Sequence, residues 1–128
     1  MPKTVKQPGP DHPITLAPHP ARVVVRAGGQ VVAETTRAVA VREANYPPVL
    51  YIPRDDADLG RLERSSRTTY CPYKGDATYY GIPGAGGRGA DAVWTYEAPY
   101  DAVAAIKDHL AFYPDRVDAI EEQPLSSG

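Results

Sequence analysis

The sequence predicts a mainly β protein, a small antiparallel folded sheet or barrel with one short C-terminal helix. Two observations favour this class: many short β-rich runs are separated by glycine or proline turns, and only one segment has clear helical spacing. A third observation is that long alternating strand–helix units are missing, which argues against a doubly wound parallel sheet. The length of 128 residues is that of one domain.

The first two strands are predicted around a tight turn. Residues 22–27 and 30–36 are rich in valine, and Gly28 and Gly29 lie between them. A two-residue hairpin turn of this kind requires positive φ at both positions, which glycine adopts at no steric cost. The sequence therefore predicts a hairpin here.

Two further strands are predicted in the first half of the chain. Residues 38–43 alternate in polarity, and this alternation places Glu43 on the same face as Val39 and Val41. Residues 49–52 form a short apolar run between prolines, which suits an edge strand or a strand end.

The second half of the chain is predicted to contain short strands and little helix. Residues 55–63 suit one or two helical turns. The best helix signal runs from Tyr100 to about His109, where Val103 and Ile106 recur at helical spacing. Strands are predicted over residues 67–70, 77–82, 91–96, 110–113 and 117–120.

We expect a proline-rich arm over residues 1–13, a single β domain over residues 14–122 and a flexible tail over residues 123–128. The formal net charge of −2 gives no electrostatic footprint for nucleic acid or for a membrane surface. One cysteine excludes an intrachain disulfide and suits a reducing compartment. The expected location is the cytoplasm, and the expected partner is a small molecule.

Three segments carry a resemblance to a known family. They begin at Glu43 (EANYPPVLYIPRDD), Thr69 (TYCPYKGDATY) and His109 (HLAFYP, followed by VD). In this order and spacing the chain, from about residue 22 to residue 122, resembles the family catalogued as domain of unknown function 427, which carries a nucleotidyltransferase-type label. The resemblance implies a β-tent fold, related to domains that hold zinc with paired Cys-x-x-Cys motifs. Since Cys71 stands alone, we expect no metal and no cofactor.

Four residues are candidate catalytic groups. Cys71 is a candidate nucleophile, because a nearby cation such as Lys74 favours the reactive thiolate. Glu43 or His109 is the candidate base. Each residue also has a structural interpretation: Cys71 as a small buried apolar residue, Lys74 as a solvated turn residue, His109 as a cation at a helix end, and Glu43 as the ion-pair partner of Arg54.

Arg54 and several tyrosines are candidate ligand-binding residues. Arg54 and Lys74 together offer two cations for a phosphate or carboxylate group. The chain has nine tyrosines but one phenylalanine and one tryptophan. Buried tyrosine hydroxyls need hydrogen-bond partners, so tyrosines crowded near the motifs predict a polar, aromatic-lined pocket. The tyrosines concerned are Tyr46, Tyr51, Tyr73 and Tyr79. The alternative is aromatic packing between neighbouring strands.

The glycine-rich segment over residues 84–89 matches the pattern G-x-G-x-x-G. The dinucleotide-binding version of this pattern opens a helix. Here the following segment alternates like a strand, so we expect a mobile hairpin loop with no phosphate-binding role and nothing apolar enough to pack.

The leading functional prediction is a β domain that binds a small anionic ligand in the tyrosine-lined pocket, with catalysis through Cys71. One alternative is nucleotidyl transfer, which usually requires carboxylates that hold Mg²⁺. Asp55, Asp56 and Asp58 are close together, but they are predicted to begin a helix. The other alternative is an interaction module without catalysis. Labelling of Cys71 by a thiol reagent, and its protection by a phosphate-rich ligand, would separate these classes.

Overall fold

The computed structural model describes residues 4–125, in which ten β-strands form two antiparallel sheets. The strands are β1 (Ile14–Pro18), β2 (Ala21–Ala27), β3 (Gln30–Thr35), β4 (Val39–Glu43), β5 (Val49–Pro53), β6 (Glu63–Cys71), β7 (Gly75–Gly81), β8 (Val93–Thr95), β9 (His109–Phe112) and β10 (Ala119–Pro124). Short 3₁₀ segments connect several of them.

Seven strands form a large sheet in the order β1-β4-β5-β9-β8-β7-β6, and a small sheet has the order β10-β2-β3. All paired strands are antiparallel. The sheets do not close into a barrel. The predicted mainly β, antiparallel class is confirmed, and its folded-sheet version is the one observed.

The large sheet buries apolar side chains on both faces, because successive residues of a strand point to opposite sides. In β5, Ile52 packs in the cluster shared with the small sheet, whereas Tyr51 packs in a cluster on the other face. In β9, Phe112 packs in the cluster shared with the small sheet, and Ala111 packs in the cluster on the other face. The core therefore has two layers, one on each side of the large sheet.

The large sheet is strongly curved. Glu43 at the end of β4 contacts Lys74 in the turn between β6 and β7, although three strands separate β4 from β7 in the sheet order. This contact requires the two sides of the sheet to bend towards each other. The concave face encloses the apolar cluster that contains Tyr51 and Ala111, which we call the second apolar cluster. The candidate site lies on the same face.

The C-terminal helix differs from the prediction. The segment Asp101–Ile106 is a 3₁₀ helix interrupted at Val103, and His109 belongs to β9. Val103 and Ile106 are fully buried, as their spacing predicted. A three-residue spacing fits the 3₁₀ helix, with three residues per turn, as well as it fits an α-helix. The pattern therefore predicted the short helix and its buried residues correctly, but the helix ends at Ile106 and not near His109.

Of the two placements predicted for the prolines around residues 49–52, an edge strand or a strand end, the edge strand is wrong. β5 lies inside the large sheet and pairs with both β4 and β9. The prolines flank the run, so the residues between them keep the backbone donors that pairing requires. Pro53, at the end of the strand, lies opposite His109.

The glycine-rich loop joins the paired strands β7 and β8, as predicted for a hairpin loop, but the expectation that nothing in it packs is wrong. Pro83–Gly89 forms 3₁₀ turns that are tied to the rest of the domain. Arg88 donates hydrogen bonds to the backbone carbonyls of Asp115 and Val117, and Ala85 packs against the core. β8 follows this loop, so the expected absence of a following helix is confirmed.

The predicted arm and tail lie partly outside the described residues, since residues 1–3 and 126–128 are not described. In the arm, the Lys6 amide donates to the carbonyl of Pro72, and Gly9 pairs with His12. At the other end β10 continues to Pro124, into the predicted tail. Over residues 4–125, the structure has no helix with the length and apolar character needed to cross a membrane.

Candidate functional site

The turn between β6 and β7 presents Lys74 to the concave face of the large sheet. Its backbone amide donates to the carbonyl of Cys71 at 3.2 Å, and its own carbonyl accepts from the amide of Tyr100 at 3.0 Å. Gly75 follows with φ of 110°, a conformation that favours glycine. The turn is thus held from both sides. Lys74 is only 6% exposed, so its interpretation as a solvated turn residue is wrong.

Glu43 accepts hydrogen bonds from two residues. Lys74 Nζ donates to its Oε1, and His12 Nε2 donates to its Oε2 at 2.7 Å. His12 reaches this position because β1 pairs with β4, with Ile14 opposite Glu43. The His12 ring also stacks on Tyr73, with 4.0 Å between ring centroids. The predicted ion pair between Glu43 and Arg54 is therefore replaced by one with Lys74 and His12.

The pKa of Glu43 is lowered from its ordinary value. Burial by itself raises it, but the hydrogen bonds and charges of Lys74 and His12 outweigh burial. The side chain of Glu43 is 18% exposed. The carboxylate is therefore ionised near neutral pH, and its charge offsets that of Lys74.

A cavity of about 310 Å³ lies beside this ion pair. We call it the tyrosine cavity. Its walls are mostly aromatic, with a few apolar residues and the charged pair. It is lined by Val41, Glu43, Tyr46, Pro47, Val49, Tyr51, Lys74, Tyr79, Trp94, Tyr96 and Tyr113.

The aromatic walls of the tyrosine cavity are held in place by hydrogen bonds and ring contacts. Trp94 Nε1 donates to the hydroxyl of Tyr51 at 3.1 Å. The Trp94 ring packs on Tyr113, with centroids 4.4 Å apart. The hydroxyl of Tyr79 is hydrogen-bonded to Thr69 at 2.9 Å. These contacts fix the ring orientations before any ligand enters.

Three cavity tyrosines hold their protons more tightly than a free tyrosine. Burial raises the pKa of Tyr51 and of Tyr96. Burial, helped by a hydrogen bond with Tyr79, raises the pKa of Tyr113 to about 12. Near neutral pH all three hydroxyls are therefore protonated and can donate hydrogen bonds.

The structure brings most of the predicted site residues together. Glu43, Lys74, Tyr51 and Tyr79 line the tyrosine cavity, and Tyr46 lines it with 65% of its surface exposed. Two others lie next to it. Cys71 Sγ is 3.9 Å from Lys74 Nζ and packs against the second apolar cluster, and Tyr73 stacks on His12.

Arg54 and His109 lie elsewhere. The register of β4 and β5 sets Val39 opposite Tyr51, which places Arg54 level with Thr36 and not with Glu43. The separation along the strands is about 24 Å, from a rise of ~3.4 Å per residue over the seven residues between Thr36 and Glu43. The predictions that Arg54 pairs with Glu43 and joins Lys74 at one anion site are therefore wrong, because the antiparallel connection carries Arg54 to the other end of the strand pair.

His109 shares the end of the sheet where Arg54 lies, since it is opposite Pro53 in β9. Its Nδ1 is hydrogen-bonded to the carbonyl of Lys107 at 2.8 Å. A shallow cleft of about 440 Å³ lies here. The cleft is lined by Arg37, Pro53, Arg54, Asp55, Lys107, Asp108 and His109.

Sequence reasoning missed four residues of the site: His12, Trp94, Tyr96 and Tyr113. His12 lies 31 residues from Glu43 in the chain, and no local pattern predicts that contact. Trp94 and Tyr96 had a usable signal, because alternate residues of a predicted strand over 91–96 share one face. The described residues contain no group of three or more His, Cys, Asp or Glu side chains arranged to hold a metal ion.

Comparison with known proteins identifies a family. No curated protein matches the chain significantly. The sequence model of a family described as a domain of unknown function (DUF427), with the label NTP_transf_9, matches residues 15–123. The match includes the turn that carries Cys71 and Lys74, as well as Glu43. Because it spans most of the chain, this protein belongs to the DUF427 family.

Proposed function

We propose that the tyrosine cavity binds a small organic ligand that carries an anionic group, a carboxylate or a phosphate. The observation that supports this proposal is the cavity itself, a concave site of about 310 Å³ walled by tyrosine and tryptophan rings. Small-molecule sites are typically concave, mostly apolar and provided with a few fixed polar groups, at ~300–1,000 Å³. The tyrosine cavity has these properties at the small end of the range.

The charges around the cavity favour one position for the anionic group. Lys74 is already neutralised by Glu43, so it has little excess charge to offer. Burial raises the pKa of Tyr113, and the positive charges of Arg67 and Arg116 act in the opposite direction, so these two arginines are the cations whose charge reaches this hydroxyl. Arg67 also lies over the ring of Tyr79 at 5.1 Å. The proposal therefore puts the anionic group beside Tyr113, which donates a hydrogen bond to it.

The body of the ligand is proposed to be planar. Trp94 and Tyr113 line the wall, and a planar aromatic ligand gains ring contacts with such residues. The same rings are already positioned, so little ordering is needed when a ligand binds.

Catalysis through Cys71 is a finer part of the proposal. Its Sγ lies 3.9 Å from Nζ of Lys74, and Cys71 is not one of the residues that line the tyrosine cavity. Lys74, which does line the cavity, is therefore the residue that connects the thiol to the proposed ligand. The lone cysteine also suits a reducing compartment, so the proposal includes a cytoplasmic location.

Nucleotidyl transfer, which the family label suggests, has no specific support from the three aspartates. Asp56 accepts hydrogen bonds from Thr35 and Arg37. Asp58 accepts from the amide of Gly60 and pairs with Arg61. These two carboxylates have structural partners, so ligand binding in the tyrosine cavity is the function that we propose.

The proposal can be tested with benzoate and phenyl phosphate as anionic probes and benzyl alcohol as the neutral control. Binding is followed by the methyl signals of Val41, which lines the tyrosine cavity, and by the unfolding temperature, which bound ligand raises. We expect at least one anionic probe to shift the Val41 signals and to bind more tightly than benzyl alcohol.

A matched pair of arginine variants tests the position of the anion. Arg67→Gln is expected to weaken binding of the anionic probe by about two- to fivefold, the effect of an exposed charge pair. Arg61→Gln removes the same charge at a residue that pairs with Asp58, and it is expected to change nothing. The proposal is wrong if neither anionic probe shifts Val41, or if benzyl alcohol binds equally well.

A further inference from the structure

A second cavity, of about 390 Å³, lies between the two sheets. We call it the intersheet cavity. The small sheet contributes residues of β2 and β10, and the large sheet contributes residues of β4, β5, β8 and β9. It is lined by His19, Val23, Val25, Ala40, Arg42, Pro48, Val49, Leu50, Ile52, Trp94, Phe112, Pro114, Ile120 and Glu122.

The interior of the intersheet cavity is apolar. Core residues of both sheets, among them Val23, Val25 and Ile52, form its floor. A buried water needs about two to four polar partners, and cavities with apolar walls instead take up apolar guests. The volume of about 390 Å³ is more than ten times the ~30 Å³ that a water molecule occupies in the liquid. An apolar chain of several carbons therefore suits this cavity.

The polar residues of the cavity are one cation, Arg42, one carboxylate, Glu122, and His19. His19 Nε2 is hydrogen-bonded to Glu122 at 2.6 Å, so these two side chains satisfy each other. Arg42 is exposed, and within residues 4–125 its side chain has no hydrogen bond or ion pair. It alternates with Val41 on β4, so it lies on the opposite side of the large sheet from the tyrosine cavity. Within residues 4–125, the Arg42 guanidinium is therefore a cation at this cavity whose donors are free to bind a ligand.

We propose that the intersheet cavity binds a free fatty acid of medium chain length, with its hydrocarbon chain among the valine, isoleucine and phenylalanine side chains and its carboxylate at Arg42. The apolar walls argue for the chain, and the unpaired guanidinium argues for a carboxylate, the group that it binds in a bidentate manner. This site is separate from the proposed ligand site in the tyrosine cavity. Val49 and Trp94 line both cavities, so the two sites share a wall.

Methyl-labelled protein titrated with octanoate, with octanol as the uncharged analogue, tests the proposal. Octanoate is expected to shift the methyl signals of Val25, Ile52 and Ile120, which line the intersheet cavity. Val41, which lines the tyrosine cavity, is expected to stay unchanged. Octanoate is expected to bind more tightly than octanol.

Arginine variants test the position of the carboxylate. Arg42→Gln is expected to weaken octanoate binding about two- to fivefold and to leave octanol binding unchanged. Arg22→Gln, on β2 outside the cavity and paired with Glu34, is the control with no expected effect. Ala40→Leu, which fills the cavity, is expected to abolish octanoate binding. If this variant does not fold, the comparison of Arg42→Gln with Arg22→Gln tests the proposal without it.

Three results would overturn the proposal. The first is that octanoate shifts none of the intersheet methyl groups. The second is that it shifts Val41 instead, which would place the ligand in the tyrosine cavity. The third is that octanol binds as tightly as octanoate or that Arg42→Gln has no effect on octanoate binding. Either result would show that Arg42 does not bind the carboxylate of the ligand.

Discussion

Replacing Lys74 with methionine tests whether the buried ion pair stabilises the fold. Lys74 is 6% exposed and its ammonium donates to the carboxylate of Glu43. Methionine has a similar length and no charge. The variant leaves the Glu43 carboxylate, 18% exposed at its side chain, with His12 as its remaining partner at 2.7 Å. The free energy of unfolding is therefore expected to fall.

The size of the loss follows from the geometry. Breaking a buried ion pair by removing one partner costs ~3–5 kcal/mol, because it leaves an uncompensated buried charge. Glu43 keeps some contact with solvent and a hydrogen bond from His12, so we expect the lower end, about 3 kcal/mol. The double variant Lys74→Met/Glu43→Gln removes both charges, and it is expected to recover at least ~1 kcal/mol relative to the sum of the single changes.

Urea denaturation measures these differences as shifts in the midpoint at constant slope. Lys107→Met removes the same charge at an exposed position and is the control, with an expected change within about 0.5 kcal/mol. The reasoning fails if Lys74→Met costs less than ~1 kcal/mol, or if the effects of the two single variants simply add.

The ion pair of Glu43 and Lys74 also predicts that the free energy of unfolding falls at acid pH. The folded-state pKa of Glu43 lies below its ordinary value, so the folded protein binds this proton less readily than the unfolded chain. The stabilisation is complete above the ordinary carboxyl pKa of ~4.3 and is lost as the pH falls through the lower folded-state pKa. Glu43→Gln is expected to remove this part of the acid dependence.

Two further predictions concern Gly89 and Cys71. A Cβ atom at Gly89 would lie 2.3 Å from the backbone oxygen of Ile82, so Gly89→Ala is expected to lower the free energy of unfolding by ~1–3 kcal/mol. Gly87→Ala is the control, because a Cβ atom at Gly87 meets nothing within 4 Å. If the two variants lower the unfolding temperature equally, the close packing of Gly89 is contradicted. Iodoacetamide is expected to label Cys71 in the folded protein and to do so more slowly in Lys74→Met; labelling only after denaturation would make Cys71 a packing residue.

Several features were predictable because they depend on neighbouring residues. Gly28 and Gly29 adopt φ of 60° and 77°, as the predicted hairpin requires. Val41 and Glu43 share a face of β4, since side chains alternate along any strand. The motif residues Cys71 and Lys74 occupy one turn. Backbone sterics and a two-residue period act locally, so short sequence patterns determined these features.

The composition of the site depended on the tertiary structure. Arg54 lies 11 residues from Glu43 in the chain, yet the strand register carries it to the opposite end of β5. His12 and Lys74 each lie 31 residues from Glu43, on opposite sides in sequence, and both contact it. These contacts require the order of strands and the curvature of the large sheet. Both are set by packing over the whole core, where distant segments compete for the same buried surface, and no local pattern encodes that outcome.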